Sequence, residues 1–577
     1  MLNAVSILLV DGDAEGEARA FRSLERQGFV RTTSVDFEGG SLVGWRHAEQ
    51  RAADDDFVRT PFGVACCVGP LWYRGHFGRA ALAALLNEVH MSGRLDEGAL
   101  RGNFALFLST GDHTWLLNDA LGFVRIHASS DGRFFTTSWL AACAYLPTRE
   151  LDPGSAVEYV LLGAVHSRHS VVRGVSLLPI GHAKDLVRRT SWQRFPDGLV
   201  PPSVNFDSLP EALRAVGEHL TTVSKEVATA FPNKINTALS GGFDSRLIVA
   251  GLLAAGIRPN LFVYGAPDFP DVAIASAVAS SVGLTLETIN KAEINRGLCE
   301  LDIRELELSA LFFDGLPSDG IDDPGADRNT RLRQTAEGNI ALNGGGGEIF
   351  RNFFHLPDRP LSALDLVRTF YRGFSRRAFR DSEGMKSYEA RLVSSMRAVL
   401  GVQNKFAHNG DLTRFQIELL YPLFRCHYWM SVNNSLAIRH GYYMTPLVDL
   451  KLIRLSQRLP LRWKNAGYFE SQLISFLHSD IAKQPSAHGF KFSEGPGLSA
   501  RLSEVATCYR PVGLRPMINA TRRRLGKVRV APTQLKRYRK LLPGEWVVDS
   551  FLDLSHLPDN VSLARALALE IVWRRIL

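Results

Sequence analysis

From residue 210 onward, short apolar runs alternate with stretches in which apolar residues recur at helical spacing. The runs that predict buried strands are Ile235–Leu239, Asn260–Tyr264, Leu284–Ile289 and Ile340–Leu342. Helical spacing is present in Leu247–Leu253 and Asp271–Val282, and the chain beyond Phe350 is mostly helical up to about Ile481. This alternation predicts a parallel sheet covered by helices, with ligands at the carboxyl ends of the strands.

The pattern of the first 205 residues is different, because it is rich in short strands and contains only short helices. The predicted strands are Val5–Val10, Phe104–Leu108, Thr114–Leu117 and Phe134–Thr137, and the predicted helices are Ala80–His90 and Ser155–Leu162. Phe195–Leu209 is polar, contains proline and is the predicted linker. We therefore expect two domains, residues 1–205 and residues 206–577.

A length of 577 residues agrees with more than one hydrophobic core. The chain is 45% hydrophobic and 22% charged, as is usual for globular proteins, and its formal charge of +8 permits an acidic partner without requiring one. We find no apolar run of membrane-spanning length and no signal-peptide pattern. The six cysteines show neither C-x-x-C nor zinc-ligand spacing, so a reducing, cytoplasmic location is expected.

The first candidate for chemistry is the turn that follows the strand Ile235–Leu239. Ser240-Gly241-Gly242 offers unobstructed backbone amides, and Asp244 and Ser245 open the next helix. A strand, a glycine turn and a helix start together predict an anion site, and an acid beside it suits a divalent cation. The alternative is an ordinary turn in which Asp244 or Ser245 caps the helix.

A second glycine-rich turn follows the predicted strand Ile340–Leu342. Gly344–Gly347 provides further amides, and Glu348 provides a second carboxylate. Two such turns at neighbouring strand ends suit a triphosphate with Mg²⁺, the amides contacting the oxygens and Asp244 and Glu348 binding the metal. A flexible loop without function is the alternative for the glycine run.

These motifs resemble those of a known family. Ser240–Ser245, reading S-G-G-F-D-S, resembles the pyrophosphate-binding loop of the N-type ATP pyrophosphatases. Gly344–Phe350 is similar to the G-x-G-x-D-x-x-F element of the asparagine synthetase family, with Glu348 where the magnesium-binding Asp usually stands. Pro446–Asp449 is similar to the end of the family's R-x-P-F-L-D segment, with Met444 at the Arg position. The family includes β-lactam synthetases and lasso-peptide macrolactam synthetases (cyclases).

The front half resembles the same family's glutamine amidotransferase domain, through Leu100–Ala105, Asn118-Asp119 with Gly122, Gly174-Val175 and Leu178–His182. The resemblance implies an α/β fold in which an N-terminal Ntn-type α+β sandwich precedes a doubly wound parallel-sheet ATP-pyrophosphatase domain with a helical C-terminal part. It also implies that Asp244 and Glu348 bind Mg²⁺ and that ATP is bound by Leu239, Ser240, Gly241, Gly242, Asp244, Ser245, Tyr264, Gly265, Gly344, Gly345 and Gly346.

The chain departs from the family at the glutaminase nucleophile. A working glutaminase domain of this family has a cysteine directly after the initiator Met, because the thiol attacks and the free α-amine acts as the base. Here Leu2 follows Met1, and the internal Cys66 and Cys67 are expected to be core residues. We therefore expect the front domain to be a degenerate remnant that does not release ammonia from glutamine.

In the family, the ATP site adenylates a carboxylate and releases pyrophosphate, and an amine then attacks. β-Lactam synthetases deprotonate that amine with a Tyr–Glu dyad, but Gly345 stands at the Tyr position and no acid stands at the Glu position near Tyr442. Lasso-peptide cyclases share the missing cysteine and tolerate these substitutions. The resemblance implies an active-site lysine that neutralises transition-state charge, for which Lys483 is the candidate and Lys491 the second choice. The alternative for either lysine is a solvated surface charge.

The expected function is therefore an AMP-forming amide ligase that closes a macrolactam ring between a peptide α-amine and an Asp or Glu side chain. ATP and Mg²⁺ are the expected cofactors, and a precursor peptide, a leader-binding protein and a leader peptidase are the expected partners, with no nucleic acid and no membrane span. One alternative keeps the ATP chemistry but amidates a small acid or sugar carboxylate with free ammonia. The other is a non-catalytic ATP-binding or scaffold protein.

Two further stretches are open to two interpretations each. Arg522–Lys540 is basic and contains no acid, so it is either a solvated helical face, which we favour, or a surface for an acidic leader peptide or nucleic acid. Phe350–His355 and Tyr421–Met430 are rich in aromatic residues and are expected to be core rather than the lining of a substrate tunnel.

Overall fold

The computed structural model describes residues 1–49, 56–194, 202, 204–298, 301–401, 411–515 and 530–577. The strands of the front half are β1 (Ala4–Leu9), β2 (Phe29–Phe37), β3 (Gly40–His47), β4 (Phe57–Thr60), β5 (Gly63–Val68), β6 (Leu71–Tyr73), β7 (His76–Phe77), β8 (Leu100–Gly102), β9 (Ala105–Thr110), β10 (Thr114–Asn118), β11 (His127–Ser129), β12 (Phe134–Thr136), β13 (Val175–Leu177), β14 (His182–Asp185) and β15 (Thr190–Gln193). Its helices are α1 (Ala14–Arg26), α2 (Gly78–Ser92), α3 (Trp139–Tyr145) and α4 (Pro153–Leu162).

Two antiparallel sheets form the centre of the front half. Their strand orders are β13-β11-β12-β1-β3-β2 and β15-β14-β10-β9-β5-β4. Val5 and Ile7 of β1 pack with Cys66 of β5 and Phe107 of β9, so the two sheets face each other across one apolar cluster. Alternate residues point the opposite way, as the pleat requires: Cys67 joins a second cluster beneath α2. Helix α1 packs against the other sheet, which gives a helix–sheet–sheet–helix arrangement.

The predicted strands of this half are present within one or two residues of their predicted bounds. Helix α1 and the hairpin β2–β3 were not predicted. In α1 only a narrow stripe that includes Ala20, Phe21 and Leu24 is buried, and most of β2 is exposed at the sheet edge. Elements with so few buried positions give a weak hydrophobic pattern.

The second half contains a parallel sheet surrounded by many helices. The strands of the parallel sheet are β16 (Ile235–Ala238), β17 (Asn260–Tyr264), β18 (Leu286–Ile289), β19 (Ile340–Leu342) and β22 (Tyr442–Met444), while β20 (Leu361–Ser362) and β21 (Asp411–Leu412) form a separate antiparallel pair. The helices are α5 (Leu209–Ala230), α6 (Phe243–Ala254), α7 (Pro270–Ser281), α8 (Lys291–Arg296), α9 (Ile303–Phe312), α10 (Ala326–Thr335), α11 (Ala363–Leu366), α12 (Gly384–Val399), α13 (Arg414–Leu420), α14 (Ser431–Ile438), α15 (Leu450–Gln457), α16 (Leu461–Lys464), α17 (Tyr468–Leu477), α18 (Ser479–Ala482), α19 (Leu498–Cys508), α20 (Pro532–Leu541) and α21 (Asn560–Ile571).

The order of the parallel sheet is β18-β17-β16-β19-β22, and each neighbouring pair is parallel. The predicted parallel sheet is therefore confirmed, and β22 is an additional strand. The chain builds outward from β16 through β17 to β18, and then returns to place β19 on the other side of β16. The crevice between β16 and β19 is thus the point where strand order reverses, which is where open α/β sheets bind ligands.

The two halves are joined by hydrogen bonds and an ion pair between their side chains and backbone groups. Asn103 Oδ1 accepts a hydrogen bond from the backbone N–H of Thr445 at 2.8 Å, and Arg101 Nε lies 3.3 Å from Asp449 Oδ2. His427 Nδ1 donates to the carbonyl of Leu121 at 2.7 Å. Most of the predicted linker lies outside the described residues, and the boundary at residue 205 stays a prediction.

Burial tests several expectations about single residues. Cys66 and Cys67 are buried, as core residues should be, and burial raises the pKa of the Cys66 thiol. Most of Tyr421–Met430 is buried as a π-helical segment, which confirms it as core. No helix in the described part of the chain has both the length and the apolarity needed to cross a bilayer.

The basic stretch is described only in part, because residues 522–529 lie outside the described ranges. The remainder forms α20, in which Arg539 pairs with Asp549 at 2.6 Å and Tyr538 is buried. This part is an ordinary helical face.

His427 makes the joined halves sensitive to acid. Burial lowers its pKa from the usual 6.5 to about 4, which outweighs the opposing effect of its hydrogen bond to Leu121. Because the folded chain then binds fewer protons than the unfolded chain, stability should be lost as pH falls from 6.5 toward 4, by about 3 kcal/mol for this one group. Chemical denaturation across this range should show a smaller loss in His427→Asn, which does not titrate. Identical losses in both proteins would contradict the assignment.

Candidate active site

The first glycine turn connects β16 to α6. Gly242 occupies the N-cap position and contributes no side-chain hydrogen bond, so the amides of the first helical turn are not engaged by a capping side chain. Ser245 Oγ accepts a hydrogen bond from the backbone N–H of Ser240 at 3.0 Å, and the two hydroxyl oxygens are 2.9 Å apart. The alternative in which Asp244 or Ser245 caps the helix is therefore wrong. An uncapped helix start of this kind favours anions.

The second glycine turn packs directly against the first. A Cβ at Gly344 would lie 2.9 Å from the Cα of Ser245, closer than real Cβ atoms approach other heavy atoms. Gly346 has a φ of 100°, which favours glycine, and the N–H of Gly345 donates to Asn343 Oδ1 at 3.1 Å. The glycine run is thus a closely packed loop, not a flexible one. Only glycine at position 344 allows the two turns to touch.

The remaining predicted nucleotide residues lie at the end of the neighbouring strand. Tyr264 ends β17, and Gly265 follows it with a φ of 144°. The Tyr264 hydroxyl accepts a hydrogen bond from Gln334, and the Nζ of Lys291 lies 4.5 Å from the centre of its ring. Because β17, β16 and β19 are adjacent, the structure brings the strand ends that carry Tyr264, the first turn and the second turn to one edge of the sheet.

Three carboxylic acids surround one arginine beside the two turns. We call Asp244, Glu348 and Glu470 the carboxylate triad. Arg351 Nη2 lies 2.5 Å from Asp244 Oδ1 and 3.5 Å from Glu348 Oε1, and its Nε lies 3.0 Å from Glu470 Oε2. The hydroxyl of Tyr421 also donates a hydrogen bond to Glu348. One guanidinium thus contacts acids from α6, the second turn and α17.

The three acids differ in their affinity for protons. Burial raises the pKa of Asp244 well above its usual range, and neighbouring Glu470 and Glu348 add to the effect while Arg351 opposes it. Burial likewise raises the pKa of Glu470 to about 7. Burial would also raise the pKa of Glu348, but the charge of Arg351 and the hydrogen bond from Tyr421 outweigh it and lower the value. Glu348 is therefore the member of the triad whose pKa favours the ionised form most.

The hydrogen-bonding surroundings of Glu470 agree with these pKa shifts. Its side chain is fully buried, and with all three acids ionised neither of its oxygens accepts a hydrogen bond. Asp244 lies within hydrogen-bonding reach of both Glu470 and Glu348, so a proton kept on Asp244 supplies a donor. Buried acceptors without donors are costly, and one shared proton reduces that cost.

The triad as arranged does not fit a divalent cation. Mg²⁺ requires several oxygen ligands at about 2.1 Å in octahedral geometry. Here the guanidinium of Arg351 already contacts the oxygens of Asp244 and Glu348. Within the described ranges, no group of three or more His, Cys, Asp and Glu side chains is placed to hold a metal. Magnesium binding by Asp244 and Glu348 stays a prediction from the sequence.

Lys483 lies at the start of a segment that packs on the first turn. The backbone N–H of Ala487 donates to the carbonyl of Gly241 at 3.0 Å, and the buried Arg246 donates to the carbonyl of Pro485. The Nζ of Lys483, however, is exposed and pairs with Asp480 at 2.9 Å. The second choice, Lys491, pairs with Glu494. Neither pairing places a lysine against the triad, so the active-site role of Lys483 stays a prediction.

A small cavity continues from the triad into the interior. It has a volume of about 20 Å³, and Glu348, Arg351, Tyr421, Glu418 and Lys464 are among the residues that line it. A cavity of roughly 10–15 Å³ or more can hold one water when polar groups surround it. The cavity is too small for a substrate and suits a bound water beside Arg351.

Sequence reasoning missed Arg351, Glu470 and Arg246. A signal existed for Glu470, because it is an acid within the apolar run Phe469–Leu477, where a buried acid requires a partner. Arg351 follows the second turn directly, and nothing in its local sequence distinguishes it from a surface arginine.

Comparisons with known proteins add little to this geometry. No protein-family model matches the sequence, and no curated protein matches it. Among solved structures, the chain is similar to glutamine phosphoribosylpyrophosphate amidotransferase from B. subtilis complexed with ADP and GMP, at 11% identity over 51% of this chain and 92% of that chain, with a TM-score of 0.23. A second structure, described as the allosteric regulatory enzyme of purine biosynthesis, is 13% identical over 45% of this chain and 64% of that chain, with a TM-score of 0.22. Similarity at these TM-scores supports no conclusion about fold or function.

The contact between the two turns can be tested at Gly344. In Gly344→Ala the new Cβ meets the backbone of Ser245 at 2.9–3.0 Å, so one turn must move, at a cost of about 1–3 kcal/mol. Native-state hydrogen exchange of the α6 amides should measure this loss. Gly111→Ala is the matched control, because a Cβ there meets nothing within 4 Å. Equal exchange in both variants would show that the contact is not tight.

Proposed function

We propose that this chain is an ATP-dependent, AMP-forming amide ligase of the asparagine synthetase type. The observation that supports it best is the contact of Gly344 with Ser245 at the edge where β16 and β19 adjoin. Two glycine turns meet there beside an uncapped helix start, at the reversal point of a parallel sheet. Convergent amides at such a point suit a chain of phosphates.

The roles of the residues follow from their positions. We assign phosphate oxygens to the amides of Gly241 and of the first turn of α6. The amides of Gly242, Gly345 and Gly346 donate within their own loops, to Ser240 Oγ, Asn343 Oδ1 and Glu348 Oε2, and would have to exchange these partners for phosphate. ATP, when bound, supplies the adenylyl group that activates a carboxylate. Tyr264 and Gly265 lie at the end of the adjacent strand β17, and we assign them to the nucleoside portion. Lys483 would supply a positive charge at the start of the segment that packs on the first turn.

We infer that the front half is an Ntn-type domain that serves as a structural support. Two facing antiparallel sheets between helices support this fold assignment. Arg101 and Asn103, which belong to an amidotransferase-like motif, bond to the second half at Asp449 and Thr445. Through these bonds, Arg101 and Asn103 hold the second half against the front half. The amine would then come from the substrate itself.

The proposed reaction is ring closure within a peptide, in which an α-amine attacks an activated Asp or Glu side chain to give a lasso-type macrolactam. The precursor peptide is then the substrate, and a leader-binding protein and a leader peptidase would supply it in a competent form. This is the most specific part of the proposal, and it derives from the sequence resemblance.

The reaction can be tested by incubating the full chain with ATP, magnesium and candidate precursor peptides. The expected products are AMP, pyrophosphate and a peptide that has lost one water. Ammonium-dependent AMP release without peptide would favour the alternative that amidates a small acid. Release of ADP would overturn the mechanism, and ATP binding without any turnover would favour the scaffold alternative.

Substitution of Lys483 tests the predicted source of positive charge. Lys483→Ala should lower kcat by about 100- to 1,000-fold with little change in ATP affinity, because a charge used only in the transition state affects kcat. Lys386→Ala is the control, since Lys386 is an exposed lysine that is likewise paired with an acid three residues away. Equal rates in the two variants would remove Lys483 from the proposed site.

A further inference from the structure

Arg351 occupies a position that its own loop and its neighbours determine. Its backbone N–H donates to the carbonyl of Glu348 at 3.0 Å, which closes the short helical turn Gly347–Phe350. Its guanidinium lies 5.3 Å from the ring centre of Phe243, at the start of α6. Phe243 in turn stacks on Phe492 at 4.4 Å. Arg351 is therefore held both along the chain and across the core, and its contacts with the carboxylate triad are built into the fold.

The charges of the triad also require a cation. Three acids from separate elements meet in a mostly buried space, and Glu470 is fully buried. Unbalanced charge in such surroundings is costly. A guanidinium has a planar array of donors that matches several carboxylates at once, and it cannot lose its proton. A divalent metal at the same oxygens would be repelled by that fixed charge at short distance.

We propose that the guanidinium of Arg351 is the built-in cation of the carboxylate triad and takes the place of a divalent metal at Asp244 and Glu348. The space beside the two glycine turns then has a permanent positive group that a chelator does not remove. If the proposed nucleotide site is correct, phosphate oxygens there meet Arg351, and any metal is carried by the nucleotide. That consequence rests on the proposed function, whereas the competition between Arg351 and a metal does not.

The competition can be measured with Mn²⁺ alone, by electron paramagnetic resonance of the free ion and without any nucleotide. The native chain should bind no Mn²⁺ through the triad, so Asp244→Asn should not change its binding. Arg351→Met removes the cation from the three acids, and we expect one added Mn²⁺ site per chain, at least about tenfold tighter than any Mn²⁺ binding that the native chain shows elsewhere. Glu348→Gln combined with Arg351→Met should remove that site.

Arg368→Met is the matched control, because Arg368 pairs with Glu389 at 3.2 Å and does not belong to the triad. It should behave as the native chain does. The proposal is overturned if the native chain binds one Mn²⁺ that Asp244→Asn abolishes, or if folded Arg351→Met gains no site. Circular dichroism checks that each variant is folded. If Arg351→Met does not fold, the proposal is tested by comparing Mn²⁺ binding of the native chain with that of Asp244→Asn. If the native chain does not bind ATP while Arg351→Met gains the Mn²⁺ site, the proposed function is refuted and this inference is upheld.

Discussion

The approach of Gly344 to the first turn of α6 is the contact on which the candidate site depends. The two glycine turns are about a hundred residues apart in the chain, and they touch because β16 and β19 are neighbours in the sheet. Absence of a Cβ at Gly344 allows the backbone of Ser245 to lie against it. That contact brings Asp244 of α6 and Glu348 of the second turn to the same guanidinium.

The carboxylate triad shows how this site manages charge. Buried ion pairs contribute little net stability, because desolvation offsets much of their attraction. Arg351 with its three acids is therefore better understood as a constraint on position than as a source of stability. It connects α6, the second turn and α17 through one planar group. The raised pKa values of Asp244 and Glu470 agree with a cluster whose net charge stays small.

The front half contributes through its contacts with the second half. Arg101, Asn103 and the carbonyl of Leu121 each bond to residues of the second half, and His427 is buried where it meets Leu121. Arg101 and Asn103 thus lie where the two halves meet.

Much of the parallel sheet was evident from sequence, because strands buried on both faces are short apolar runs bounded by glycine turns. The first turn, the second turn and Tyr264 were identified for the same reason: they follow such runs directly. Narrowly buried elements such as α1 and the edge strand β2 were missed because their pattern is weak. The sequence by itself determined which segments are strands and where the glycine turns fall. Only the tertiary structure decided that Arg351 and Glu470 meet Asp244, because residues far apart in the chain are brought together by strand order and helix packing, which no local pattern encodes.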